Sequence, residues 1–249
     1  MMRYFLEIAY KGTDFCGFQV QNNAKTVQGE LNKALSVLLK MPTETIGSGR
    51  TDTGVHCKQQ FLHLDISQTI QIDDLVHRLN RILPNSIAVL SAKAVKENAH
   101  ARFDALSRSY EYYICEQKNP FSENLAYFYP LDLDIEKMNQ AARYLLLYRD
   151  FESFSKTKTD VKTFFCDIKE AFWQKKEAYL VFYITADRFL RGMVRAIVGT
   201  LLEIGRGKME VADFEQIILQ KNRNKAGRAV PPQGLYLVNV HYPTTVFLP

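Results

Sequence analysis

The chain has 249 residues, so about 150 residues per domain predicts one to two domains, long enough to bury a core without disulfide or metal staples. Hydrophobic residues make up 47% and charged residues 24%, which excludes a largely disordered chain, a collagen and a coiled coil. Lys and Arg outnumber Asp and Glu, 32 against 27, and this net charge of +5 admits a nucleic-acid partner without requiring one.

Arg3–Tyr10 is rich in aromatic and branched residues and predicts a strand. Thr26 is placed to cap a helix whose apolar positions, Val27, Leu31, Ala34, Leu35, Leu38 and Leu39, form one stripe. Residues 43–46 predict a short strand running into Gly47-Ser48-Gly49-Arg50-Thr51-Asp52-Thr53-Gly54, a loop by its glycine content. A strand is expected through Gln59–Asp65, then a helix from Asp73 to Leu83 stopped by Pro84. Ile87–Val95 and Ser109–Glu116 predict further strands. Asp134–Leu147 predicts a helix with Ile135, Met138, Ala142, Leu145 and Leu146 on one side. Phe165–Trp173 and Ala178–Thr185 flank Gln174–Glu177 as a hairpin, Leu190–Ile204 and Val211–Gln220 predict helices, and Leu235–Tyr242 a closing strand.

Hairpins mixed with helices predict an α+β fold, a mainly antiparallel sheet flanked by helices. No repeat of fixed period and no low-complexity linker divides it. A soft boundary near Ala105 predicts two α/β halves, 1–105 and 106–249. The longest stretch without formal charge, residues 229–249, carries four prolines, so no membrane-spanning helix is expected. Glu7 interrupts the short apolar run near the start, and no secretory signal is expected there. Cys16, Cys57, Cys115 and Cys166 are widely spaced, which predicts reduced thiols in a cytoplasmic protein rather than a zinc site.

The chain contains no phosphate-binding G-x-x-x-x-G-K-[ST], no dinucleotide G-x-G-x-x-G, no H-E-x-x-H and no G-x-S-x-G. His63 and Asp65 share a strand face, but two groups fall short of a metal site, so a structural role is expected. Asp52 stands between two threonines and a glycine, and three readings stay open from its spacing alone. It is a turn residue bonding its own backbone. It is half of an aspartic-protease dyad completed by a homodimer, since such sites need two Asp-Thr-Gly segments. Or it is a single nucleophilic or charge-stabilising carboxylate with Arg50 beside it.

The segments around this loop extend the pattern. Val55-His56, Gln60 and His63 follow it; Tyr10-Lys11-Gly12-Thr13, Gly17-Phe18-Gln19 and Val27-Gln28 precede it. Downstream come His100-Ala101-Arg102-Phe103-Asp104-Ala105, Arg108-Ser109-Tyr110-Glu111-Tyr112, Asp150-Phe151 with Ser153-Phe154, Phe189-Leu190-Arg191-Gly192-Met193-Val194-Arg195 with Gly199, and Pro232-Gln233-Gly234-Leu235-Tyr236-Leu237. In this order the set resembles the bacterial tRNA pseudouridine synthase A family. Thr53, Lys11, Phe18 and Val20 depart from the residues frequent in that family; Asp52, Tyr110 and Arg195 match it.

The resemblance implies isomerisation of uridine to pseudouridine at positions 38, 39 and 40 in the anticodon stem-loop of tRNA, with no cofactor and no metal. It implies Asp52 as the essential carboxylate, acting at C1′, at C6 or on the C2′ proton, each requiring the ionised form. Arg195 is implied as its ion-pair partner, because an opposite charge within ~4–6 Å favours the charged form. Arg50 is implied to fill the space of a flipped nucleotide or bind its phosphate, Tyr110 to stack on the uracil, and Leu235 to line the pocket, in a cleft between the halves. A homodimer with tRNA across both subunits is implied as well. Lys221, Arg223, Lys225 and Arg228, with Lys156, Lys158 and Lys162, form basic clusters expected to contact RNA phosphates. A tRNA-binding protein without catalysis is the competing reading.

Overall fold

A computed structural model describes residues 1–68, 70–157 and 161–248. The described residues form an α+β fold of nine strands and five α-helices, with mostly antiparallel pairing. The chain divides into two units, Met1–Ser107 joined by Tyr236–Pro249, and Arg108–Leu235.

In the first unit β1 (Met2–Tyr10) pairs antiparallel with β3 (His56–Ile66) on one side and β4 (Ile87–Val95) on the other. Alternation explains its place: Leu6, Ile8 and Tyr10 are buried on one face, while Phe5 on the other meets Phe61, Tyr242 and Phe247. The short β2 (Ile46–Gly47) joins β3. Two helices, α1 (Val27–Leu39) and α2 (Ile72–Ile82), pack on each other, and α2 covers β4. Val27, Leu31, Leu35 and Leu39 are the buried stripe of α1, and the Thr26 hydroxyl accepts from the Gly29 amide at 3.2 Å, the expected cap.

In the second unit β5 (Ser107–Cys115) pairs antiparallel with β8 (Tyr179–Ala186), which pairs with β7 (Ile168–Lys176). The short β6 (Tyr127–Phe128) adds to β5 in parallel. The helix α3 (Ile135–Arg143) packs on β7, α4 (Met193–Gly205) and α5 (Val211–Gln220). Nearly every residue of α4 is buried, so its apolar run reads as a core helix.

The structure shifts several expected boundaries. Residues 43–45 are not strand: the Thr45 hydroxyl donates to Asn32 at 2.7 Å and its carbonyl accepts from Gln28 at 2.6 Å, so α1 side chains take its polar groups. The helix expected to reach Leu147 ends at Arg143 and tightens into a 3₁₀ turn over Tyr144–Leu146. The helix expected from Leu190 begins at Met193, because Gly192 has φ +72°. The hairpin turn is tighter than expected, with Glu177 in the left-handed region at φ 54°. The tail beyond Tyr236, expected in the second half, belongs to the first unit. Tyr236 and Leu237 of β9 (Leu235–His241) lie opposite His56 and Cys57 in parallel. Backbone bonds from Lys96 to Val246, Leu248 to Ala94 and Leu106 to His241 hold the rest. The first unit's opening segment ends at Ser107.

Among the described residues no helix is long and apolar enough to cross a membrane, and all four cysteines are free thiols.

Candidate active site

Asp52 sits at the end of a loop whose neighbours are fixed from below. The Tyr10 hydroxyl, buried in the sheet, lies 2.8 Å from Thr51 Oγ1 and donates to Gln60 Oε1 at 2.8 Å. Gln60, fully buried on β3, donates in turn to the Gly49 carbonyl at 2.9 Å. The Ser48 amide donates to Phe61 O at 2.7 Å and the Phe18 amide to Thr51 O at 3.2 Å. One amide side chain therefore ties the loop's start to a tyrosine that also holds the residue before Asp52. Polar groups paired in a dry interior are costly to separate, so the network fixes the loop.

The backbone of Asp52 closes a turn: its carbonyl accepts from the Val55 amide at 3.1 Å, with Gly54 at φ +78° in the third position. Asp52 is thus the first residue of a backbone turn. The side chain is half-buried, Arg50 is exposed, and the surrounding Thr51 and Val55 are buried. Gly17 and Gly12 admit the loop: a Cβ on Gly17 would stand 2.7 Å from Thr51 O, and one on Gly12 2.0 Å from Val55 O.

The histidines near the loop are structural. His56 Nδ1 accepts the Gly12 amide at 3.0 Å, and its ring packs 4.6 Å from that of Tyr236. His63 Nδ1 accepts the Ala101 amide at 3.1 Å. Arg3 grips both oxygens of Asp65 at 2.7 Å, so the His63 and Asp65 pair is occupied by protein partners, as expected. No cluster of three or more metal-ligating side chains occurs among the described residues.

Burial, with lesser contributions from Arg3 and His100, pushes His63 down from 6.5 to about 4, against the opposing pull of Asp65 and Asp104. His100 is lowered too, mainly by burial. Between pH 6.5 and about 4 the unfolded chain takes up a proton that folded His63 refuses, so stability falls as pH falls through that window. Urea unfolding at stepped pH is expected to show this slope, and His63→Gln to remove part of it. A slope identical in the variant contradicts the assignment.

The remaining candidates lie in the second unit. Tyr110, half-buried on β5, lies opposite Ile184 and meets the Phe189 ring edge-on, with centroids 5.1 Å apart and planes at 88°. That contact orients Tyr110, a role for Phe189 that its place in the motif does not reveal. Arg195 is the third residue of α4. A cation in the first turn opposes the helix dipole by roughly 0.3–1 kcal/mol, so helix stability does not explain it. Its Nε donates to Val230 O at 2.7 Å while its carbonyl accepts the Val230 amide at 3.1 Å. Leu235 opens β9 and is buried.

The four basic residues of the 221–228 segment divide. Lys221 pairs with Asp150 at 2.8 Å, and Arg223 donates to the Ala226 and Gly227 carbonyls at 3.2 and 3.1 Å. Lys225 and Arg228 are exposed, and Arg228 lines one cavity with Arg195. Lys156 and Lys162 are exposed, whereas Lys158 lies outside the described residues. Tyr10, Gln60, Gly12 and Gly17 were legible only as motif members, without roles; their signal was the number of motif residues converging on one loop.

Comparison with known proteins bears on this arrangement. The tRNA pseudouridine synthase family model matches residues 8–104 and 141–243. A protein named tRNA pseudouridine synthase A from Bacteroides fragilis is 50% identical over 249 residues, covering 99% of both chains. One of the same name from Porphyromonas gingivalis is 47% identical over 252 residues, covering all of both. One from Bacillus subtilis is 40% identical over 245 residues, 97% of this chain and 99% of its own. None of these favours the aspartic-protease or non-catalytic reading.

Proposed function

The chain belongs to the tRNA pseudouridine synthase family, and from that premise we propose that it isomerises uridine to pseudouridine at positions 38, 39 and 40 of the anticodon stem-loop of tRNA. The membership makes it an enzyme of the isomerase class. One observation carries the assignment of the chemistry: in a chain matching this family, a half-buried carboxylate stands on a loop fixed by Tyr10, Gln60 and Gly17.

The reaction breaks C1′–N1, turns the uracil over and forms C1′–C5. C5 gives up its proton, N1 gains one, and no electrons are exchanged. Asp52 supplies the charge or nucleophile, whether it attacks C1′ or C6 or takes the C2′ proton. A base in a duplex must leave the stack first, at a few kcal/mol. Arg50, exposed on the same loop, takes the vacated space or the flipped nucleotide's phosphate. Tyr110, its ring held by Phe189, stacks on the uracil during rotation, and Leu235 borders the base. Lys225 and Arg228 bind phosphates directly; Lys221 and Arg223 do so on exchanging their present contacts.

The enzyme works in the cytoplasm as a homodimer with tRNA across both subunits; sedimentation as a single 28.7 kDa species contradicts the dimer. The reaction is tested by incubating unmodified tRNA transcripts with the protein and mapping pseudouridine by carbodiimide adduct and primer extension. Stops one nucleotide 3′ of positions 38, 39 and 40 are expected; a product elsewhere in the tRNA overturns the assignment to the anticodon stem-loop.

A further inference from the structure

The second unit contains a cavity of about 490 Å³ lined by Arg195, Arg206, Arg228, Tyr127, Tyr129 and Glu203, among others. Three guanidinium groups against one carboxylate leave it cationic. Arg206 lies 3.5 Å from Glu203 and lines the cavity together with Tyr129. The Tyr127 and Tyr129 rings stand 5.3 Å apart, tilted by 51°. Another wall, 228–231, belongs to a loop pressed backbone to backbone on α4. A Cβ on Gly199 would stand 1.9 Å from Arg228 O, and one on Gly227 2.9 Å from Gly199 O. The Gly227 amide donates to Thr200 Oγ1 at 2.9 Å, and Val230 is bonded twice to Arg195. Arg228 is thus carried on a fixed rim rather than a loose loop.

A cavity of this size accepts a small ligand. Planar guanidinium forks suit phosphate oxygens, and aromatic faces suit bases of any sequence. We propose that this cavity holds one nucleotide of the RNA strand flanking the target uridine, its phosphodiester on Arg206 and Arg228 and its base against Tyr127, which the buried Tyr129 backs. The proposal rests on the isomerase reading, since that makes RNA the substrate.

The test is the affinity for an unmodified tRNA transcript, read by fluorescence anisotropy across a salt series. Arg228→Gln is expected to weaken binding about tenfold and to lower the slope of log Kd against log salt by about 0.7–0.9, one phosphate. Arg228→Lys keeps the slope. Tyr127→Ala weakens binding roughly 5- to 100-fold at every salt concentration, with the slope kept. A slope unchanged by Arg228→Gln overturns the proposal. Replacing Tyr127 by benzoylphenylalanine then reads the occupant. A cross-link to a nucleotide beside position 38, 39 or 40 supports it; a cross-link to a second copy of the chain, or none, overturns it. Pseudouridine formation by the wild type in the same RNA is scored separately. Product with an unchanged slope sinks the cavity proposal and the phosphate contact of Arg228 but not the reaction, whereas cross-linked RNA without product sinks the reaction.

Discussion

Asp52→Asn is expected to lower the single-turnover rate of isomerisation by about 10⁴-fold or more, with tRNA still bound. Each tenfold corresponds to about 1.36 kcal/mol, so this is a loss of roughly 5.4 kcal/mol in transition-state stabilisation. The amide has the shape of the carboxylate but neither its charge nor its basicity. The fixing bonds around the loop run through Thr51, Gly49, Ser48 and the Asp52 backbone, so the substitution leaves them in place. A loss of folding would appear in thermal unfolding, a loss of binding in anisotropy, and neither is expected. A variant retaining even a hundredth of the wild-type rate contradicts the role given to Asp52.

Gly17→Ala is expected to damage the same site without touching a reactive group. Gly17 has φ +87°, which L side chains rarely adopt, and its added Cβ would stand 2.7 Å from the carbonyl of Thr51. That oxygen is backbone, bonded to the Phe18 amide, and one residue before Asp52. Strain and overpacking cost about 1–3 kcal/mol each, and relief moves the loop. A displacement near 1 Å at a reacting group costs about 100-fold in rate, which is the expected fall. Gly49→Ala serves as the control for stability: its Cβ meets nothing within 4 Å, so the melting temperature should not change. A fully active Gly17→Ala protein would show that the loop's position is not set from this side.

Much of the fold was legible because single elements announce themselves. Thr26 and the stripe behind it gave α1, Ile87–Val95 gave β4, and Val211–Gln220 gave α5, each within its own segment. What escaped was non-local. The parallel pairing of Tyr236 and Leu237 with His56 and Cys57 joins residues far apart in the chain, and no turn between them marks it. The two-residue β6 is too short for any periodic signal, and the start of α4 depends on the φ of one glycine. At the site, the loop carrying Asp52 was visible as a motif, and its turn as Thr53-Gly54. The support was not: Tyr10 and Gln60 sit on strands as ordinary alternating residues, and only the β1–β3 register brings their side chains under Thr51 and Gly49. Lys221 and Arg223 looked like cations awaiting phosphate, yet an acid and two carbonyls elsewhere in the fold engage them.

The central claim is that Asp52 drives exchange of the C1′–N1 bond for a C1′–C5 bond. Tritium release from tRNA labelled at uridine C5 reads that step directly, because forming the new bond expels the C5 hydrogen. With wild type and Asp52→Asn side by side, release is predicted from wild type alone, equal to the pseudouridine formed and without added metal or nucleotide. No release by wild type from tRNA that it binds, or equal release by the variant, would contradict it.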